Sequence, residues 1–316
     1  MSEIKRTLTV ISPVYNEQEN LPIFYIELRK VLDDIKDHYE SKILFVIDRC
    51  SDSSLSTAKR IADSDGRVQV LGLSSRFGHQ MSLVAGIDHS DSDAIIMMDS
   101  DLQHPPSVLP RLLEQFEKGK DVVYTIRRDN ENVGLLRRQL SSLFYRVVNR
   151  LANVPIHPGA ADFRLISRRV ALIFREQLRE HNQFLRGLIS WVGFDSAEVE
   201  FEVEARRSGE SKYKTARLIQ FALEGITSFS KAPLRWGIFG GLALALLGFL
   251  YAFNLLVKYL FTPNYFPTGW ATLAILILIF GGTQLFFLGV IGEYIGSIFD
   301  EVKRRPLYIV DEKVNL

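Results

Sequence analysis

The sequence predicts an α/β domain of doubly wound, Rossmann-like layout followed by a two-helix membrane hairpin. Three observations point there. Short apolar runs alternate with amphipathic stretches, polar and acidic clusters follow three of those runs, and residues 236–292 carry a single charge, Lys258. The chain has 316 residues, 47% hydrophobic and 24% charged, and the uneven spread of its charge excludes a wholly soluble protein. A net charge of +1 excludes binding of polyanions such as nucleic acid through bulk charge. One cysteine, Cys50, excludes a disulfide framework and an all-cysteine metal cluster, and suits a reducing cytosol. No apolar stretch of signal-peptide length precedes the first polar cluster, so the globular part is expected to stay inside the cell.

The strands come first. Leu8–Ser12, Ile43–Ile47, Val68–Leu73, Ala94–Met98 and Val122–Thr125 are β-rich runs without clean alternation, as strands buried on both faces should be. Between them, 19–39 spaces Leu21, Phe24, Leu28, Leu32 and Ile35 at helical intervals, and 55–62, 80–89 and 108–118 are shorter versions. That alternation argues a mostly parallel sheet, which binds ligands beyond the carboxyl ends of its strands. No GxGxxG follows the first strand and no GxxxxGK[ST] occurs, so neither a dinucleotide oxidoreductase nor a P-loop enzyme is supported.

Pro13 to Glu17, Asp48 to Asp52 and Asp99 to Gln103 follow the first, second and fourth strands and are expected to converge at one edge. Asp99 and Asp101 stand two apart, so in an extended stretch both carboxylates face one side and can share Mg2+ or Mn2+ through oxygen. The solvated-turn alternative is the better reading for Asp91 and Asp93, which repeat the spacing.

Trp236 to Val257 is uncharged and long enough, at about 1.5 Å per residue, to cross a hydrocarbon core about 30 Å thick. Thr262 to Gly292 is a second such run, and the turn between them holds Pro263, Pro267 and boundary-favouring aromatics such as Tyr259 and Trp270. Basic residues cluster outside the spans, Lys231 and Arg235 before the first and Lys303 to Arg305 after the second, which places both chain ends in the cytoplasm. Gly237 with Gly241 and Gly292 with Gly296 have the spacing of close helix contacts, within the hairpin or between protomers of a homo-oligomer. The stretches 138–151 and 215–230 are basic and amphipathic, suited to a headgroup layer or to covering the core.

The segments VISPVYNEQENL, SSRFGHQMSLVAGI, IIMMDSDLQHPP, ADFRLISRR, FLRGLISWVGF, RRSGESKY and GITSFSKAPLR occur in this order. In that ordered set, spread over nearly the whole chain, the sequence resembles the family-2, GT-A-fold polyprenyl-phosphate glycosyltransferases, especially those that act on bactoprenol and carry a two-span tail. The resemblance implies inverting transfer of a hexose, glucose from UDP-glucose above others, to undecaprenyl phosphate at the cytoplasmic face. It implies a catalytic domain over 1–212, a juxtamembrane amphipathic helix over 213–235, two transmembrane helices over 236–292 and a cytoplasmic tail over 293–316.

Carried over by position, the resemblance assigns the donor nucleotide to Pro13, Tyr15, Glu17, Asp48 and Asp99. It assigns Mg2+ or Mn2+ to Asp99, Asp101 and Gln103 of the same loop. Asp162 matches the aspartate of the family's GDFRL segment near sugar and acceptor, as a general base or as an orienting group, since a phosphate acceptor is already anionic near neutral pH. Both phosphates need cations, for which Arg127, Arg138, Arg206 and Lys212 are candidates. The family's DDGSxD reads Ile47 to Asp52 here, with Arg49 where the backbone would approach the nucleoside. Alternatives are a mannosyl or modified-pentose donor, or a non-catalytic scaffold or flippase component. A processive synthase is disfavoured because Gln183 to Gly187 only echoes QxxRW.

Overall fold

A computed structural model describes residues 5–128, 160–181, 183–202, 232–261 and 269–316. The catalytic-domain strands are β1 (Arg6–Val14), β2 (Tyr39–Ile47), β3 (Val68–Leu73), β4 (Ala94–Met97), β5 (Val122–Arg128), β6 (Ala160–Ser167) and β7 (Ser196–Glu202). The helices between them are α1 (Asn20–Asp34), α2 (Ser54–Ser64), α3 (His79–Asp88), α4 (Leu109–Glu117), α5 (Arg168–Glu176) and α6 (Leu185–Trp191). Two long helices follow, α7 (Ala232–Phe261) and α8 (Trp270–Lys303), and then a last strand, β8 (Val310–Val314).

All eight strands form one sheet in the order β7-β5-β6-β4-β1-β2-β3-β8. The expected parallel arrangement holds for β3-β2-β1-β4, but β6 runs antiparallel to both β4 and β5, and β8 antiparallel to β3. The sheet is therefore mixed rather than mostly parallel. β6 shows no continuous apolar run because Asp162 and Arg164 interrupt it, and β8 owes its place to a partner distant in sequence.

The central strands are sandwiched. Along β1, Leu8 and Val10 pack with Phe24 and Leu28 of α1, whereas Ile11 packs with Leu83 and Ile87 of α3 on the other face. The apolar stripe of α1 forms as its spacing predicts, with Leu21, Phe24, Leu28 and Leu32 fully buried. From β1 the chain winds outward to β2 and β3, then crosses back to β4 on β1's other side, so the topological switch lies between β1 and β4. A crevice beyond their carboxyl ends is where such a sheet binds ligands.

The segment 293–316, expected as a tail, instead supplies the last turns of α8 and the edge strand β8. Tyr308 Oη donates to Asp88 at 2.7 Å, Lys59 pairs with Glu312 at 2.6 Å, and Asn315 Nδ2 donates to the Val68 carbonyl at 2.9 Å. The end of α8 meets the segment before α6, where the His181 amide donates to Glu301 at 2.6 Å.

Gly237–Leu255 of α7 is, by length and composition, the one membrane-crossing candidate among the described residues, with mean hydropathy 2.0 and none of it buried. The apolar stretch expected as a second span lies largely within α8. α7 and α8 touch where a Cβ at Gly237 would meet the Phe287 ring at 2.8 Å, so that glycine permits a close approach. Gly241, Gly292 and Gly296 face open space.

Candidate active site

Three loops at the carboxyl ends of β1, β2 and β4 form one connected floor. Ser51 N donates to Asn16 Oδ1 at 2.9 Å, the Glu17 amide donates to Ser54 Oγ at 2.8 Å, and the Gln18 amide donates to Asp52 at 3.2 Å. These bonds lock the first loop onto the second. The fourth-strand loop joins through Ser100 Oγ, buried and donating to the Pro13 carbonyl at 3.2 Å. Asn16 and Leu102, with φ of 56° and 62°, hold left-handed conformations in two of these loops. Such conformations cost energy and persist where surrounding contacts over-determine them.

Of the residues expected to bind donor nucleotide, Tyr15 is exposed and stacks under the Arg76 guanidinium, 4.1 Å from its ring centroid. Glu17 accepts from Asn20 Nδ2 in the first turn of α1. Asp48 is buried, and its two oxygens accept from the backbone amides of Phe77 at 2.7 Å and Gly78 at 3.0 Å. It thus fixes the start of α3. Gly78 takes φ +93° there, a conformation that a side chain would strain. Cys50 Sγ accepts from the Asn16 amide at 3.3 Å, and burial raises its thiol pKa, so it stands as a loop support.

The register between β4 and β6 brings the two principal acids together. Met97 pairs with Arg164 in the last rung of the ladder, so Asp99, two residues past β4, follows on the same side as Asp162, two residues before Arg164 in β6. His79, the first residue of α3, lies between them, its Nε2 3.6 Å from Asp99 Oδ1 and 3.7 Å from Asp162 Oδ2. Desolvation pushes the His79 pKa down, but the two carboxylates outweigh it and lift the value to about 9. His104, buried between the Phe163 and Phe201 rings, reaches Asp99 Oδ2 at 3.7 Å.

Asp101 accepts from the Gln103 amide at 3.1 Å and from Gln103 Nε2 at 2.6 Å. Gln103 therefore orients Asp101. Among the described residues no group of three or more histidine, cysteine or acidic side chains forms a metal cage. Asp99 and Asp101 fit a hard cation that completes its oxygen shell with ligand phosphates and water, the usual habit of Mg2+. Asp91 and Asp93 are used elsewhere, pairing with Arg175 at 3.0 Å and accepting from Thr7 at 2.9 Å.

Asp162 is engaged by two guanidiniums. Arg186 contacts it through Nε and Nη2, both at 2.8 Å, and Arg164 Nη2 at 3.0 Å. Burial pushes the Asp162 pKa up, but Arg186, then His79 and Arg164, overcome it and hold the carboxyl well below its usual range. Arg164 is itself 1% exposed and lies 5.9 Å from the Tyr124 ring centroid.

The backbone of Arg127 lies in β5 opposite Phe201 of β7. Arg138, Arg206, Lys212 and the amphipathic stretches 138–151 and 215–230 lie outside the described residues. Nothing local in the sequence singles out His79, His104, Arg164 or Arg186. Each stands inside one of the ordered segments, and Arg186 is the arginine of the incomplete QxxRW.

Residues 9–172 match Glycosyl transferase family 2. Over 308 residues the chain is 38% identical to an uncharacterized glycosyltransferase, YkcC, of Bacillus subtilis, covering 98% of this chain and 94% of the relative. It is 40% identical over 304 residues to the SfII prophage-derived bactoprenol glucosyl transferase of Shigella flexneri, covering 96% and 97% of the two chains. It is also similar, with TM-score 0.45 and 17% identity over 70% of this chain and 78% of the other, to glucosyl-3-phosphoglycerate synthase from Mycobacterium tuberculosis, solved with Mn2+ and UDP-glucose. On the family match and these relatives, which align over nearly the whole chain, this mixed-sheet α/β protein belongs to glycosyl transferase family 2.

Proposed function

We propose that this glycosyltransferase transfers glucose from UDP-glucose to a membrane polyprenyl phosphate such as undecaprenyl phosphate, with inversion, at the cytoplasmic face. The observation that carries the reading is the attachment of the Asp99 and Asp162 site to an apolar helix pair. β8, which follows α8, is an edge strand of the same sheet that holds the site, so the chain leaves the catalytic domain, runs through α7 and α8, and returns. A path out and back with an unburied apolar α7 suits a hairpin that crosses a bilayer twice. The full-length similarity to a bactoprenol glucosyl transferase supports the same acceptor.

Each group then has a task. Tyr15 and the loop fixed by Asp48 would border the nucleoside, and Asp99 and Asp101 would hold Mg2+ or Mn2+. When bound, that cation supplies positive charge to the leaving diphosphate. An oxygen of the lipid phosphate attacks the anomeric carbon as the bond to the diphosphate breaks on the opposite side, which inverts the centre and requires no proton transfer. His79, between the two carboxylates, couples the donor side of the cleft to the acceptor side. Arg127, Arg138, Arg206 and Lys212 remain candidates for phosphate contacts.

The test is a panel of UDP- and GDP-sugars offered with Mg2+ or Mn2+ and a short-chain polyprenyl phosphate to the purified full-length protein. Labelled glucosyl lipid from UDP-glucose is the expected product. Transfer only from a mannosyl or pentosyl donor replaces the sugar assignment, and no lipid product from any donor ends the polyprenyl reading.

A further inference from the structure

The loop that carries Asp99 and Asp101 also carries His104, and its two ends are held unequally. Asp99 stays partly open to the cleft, with its side chain 29% exposed. His104 turns inward. It is 1% exposed, and its ring centroid lies 5.3 Å from that of Phe163 in β6 and 5.8 Å from that of Phe201 in β7. Leu102, between the acids and His104, is buried at a φ of 62°, a strained conformation that persists because contacts on either side over-determine it. The acid loop is thus clasped to the sheet at its far end.

An aromatic cage of this kind is filled as well by phenylalanine, and a buried ring nitrogen costs free energy unless a polar neighbour answers it. In His104 that nitrogen has a direction. Nδ1 faces Asp99 Oδ2 at 3.7 Å, just outside hydrogen-bond range, so a small turn of the carboxylate closes the gap while the packed ring stays fixed. The other oxygen, Oδ1, faces His79 at 3.6 Å, but His79 is 41% exposed and able to yield to a ligand. Two imidazoles therefore flank one carboxylate, and only His104 is anchored.

We propose that His104 is the positioning residue of the cation site. Its Nδ1–H holds the Oδ2 edge of Asp99, so that the carboxylate keeps one orientation and offers Oδ1 to the divalent ion. A carboxylate fixed before the ion arrives loses less freedom on binding, and removing such a supporting donor weakens metal affinity by about 10–100-fold. This rests on the assignment of Mg2+ or Mn2+ to Asp99 and Asp101 above, and on neither the sugar nor the lipid.

The experiment titrates Mn2+ into the full-length protein in detergent with UDP present, read by loss of the free Mn2+ spin-resonance signal, and so needs no turnover. His104→Phe keeps an aromatic ring between Phe163 and Phe201 and removes the nitrogen. His104→Asn gives up the ring and places an amide N–H close to where Nδ1 stood. His104→Phe should weaken Mn2+ binding about tenfold or more, and His104→Asn should bind Mn2+ more tightly than His104→Phe.

A residue that only fills the cage gives the reverse order, His104→Phe near native and His104→Asn impaired, and that order overturns the proposal. Mn2+ affinity equal to native in both variants overturns it too. Should His104→Phe not fold, His104→Asn against His104→Ala decides by the same measure: tighter Mn2+ binding in the asparagine variant supports the donor, and equal binding overturns it. A native protein that binds no Mn2+ in the presence of UDP removes the cation assignment and the role of His104 with it. A native protein that binds Mn2+ with UDP yet glycosylates no polyprenyl phosphate removes the acceptor assignment and leaves His104 in place.

Discussion

Asp99, just beyond the end of β4, and Asp162 of β6 have one histidine between them, yet their neighbours prepare them for opposite tasks. Asp99 is approached by His79 and His104 at 3.6 and 3.7 Å, distances at which neither ring takes up the carboxylate as a close hydrogen bond would. Asp162 is gripped by two guanidiniums at 2.8 and 3.0 Å. The first is suited to a metal ion. The second carries two arginines at hydrogen-bond distance, with His79 farther off. Identical side chains thus acquire different chemistry from what surrounds them.

The largest effect that can break this contrast is at Asp99. Asp99→Ala should lower turnover by more than about a thousandfold, because it removes a cation ligand and with it stabilisation of the leaving diphosphate. UDP binding should lose its dependence on Mn2+. Chelation of the native protein should do the same, reversed by added Mg2+ or Mn2+. Metal-dependent UDP binding that survives Asp99→Ala would show that the acid pair does not hold the ion.

Asp162→Asn should behave differently. Shape is kept while the charge that holds Arg186 and compensates buried Arg164 is lost, so turnover should fall about a hundredfold while metal-dependent UDP affinity persists. Uncompensated Arg164 should also lower the melting temperature. If Asp162→Asn abolishes UDP binding as Asp99→Ala does, the two acids form one metal site and the contrast fails.

The same contrast explains what was legible in the sequence. Asp99 and Asp101 stand out because a strand of apolar residues stops abruptly at acids, and β1 to β5 were visible as runs buried on both faces. Asp162 was found only through its segment, since β6 places an acid and a buried arginine where apolar residues would mark a strand. β7 hides Ala197, Val199 and Phe201 in an alternation with acids too short to separate from a loop. The pairing of β8 with β3 joins residues 70–73 to 310–314, and no local period encodes such a partnership. His79 and Arg186 were missed for the same reason, because a helix start and a short helix become neighbours of Asp162 only after the sheet has closed.

Gly78→Ala probes the residue between the two acids. At φ +93° and ψ 165°, a region nearly confined to glycine, an alanine is strained by about 1–3 kcal/mol, and nothing within 4 Å blocks its methyl group. The cost is therefore backbone strain, relieved by moving the start of α3, which carries His79. Turnover should drop about tenfold with both UDP and lipid affinities reduced modestly, since His79 faces both sides. A loss confined to one substrate would place His79 with that side alone.

The smallest effect tests whether the contrast depends on the tail that closes the sheet. Tyr308 Oη donates to Asp88 at 2.7 Å, and Arg179 pairs with the same carboxylate at 2.8 Å. Burial, and then Asp88, hold the Tyr308 pKa above its ordinary value, so the phenol stays protonated and donating throughout the neutral range. Tyr308→Phe keeps the ring packed beside His89 and removes only that donor, leaving Asp88 with Arg179. The cost should be about 1 kcal/mol, a fall in melting temperature of about 2–4 °C for a domain of this size. Turnover and both affinities should be unchanged, because Asp88 sits at the opposite end of α3 from His79 and keeps its pairing with Arg179. A selective loss of lipid affinity in this variant would show instead that the docking of the tail sets the height at which the Arg186 side of the cleft meets the membrane.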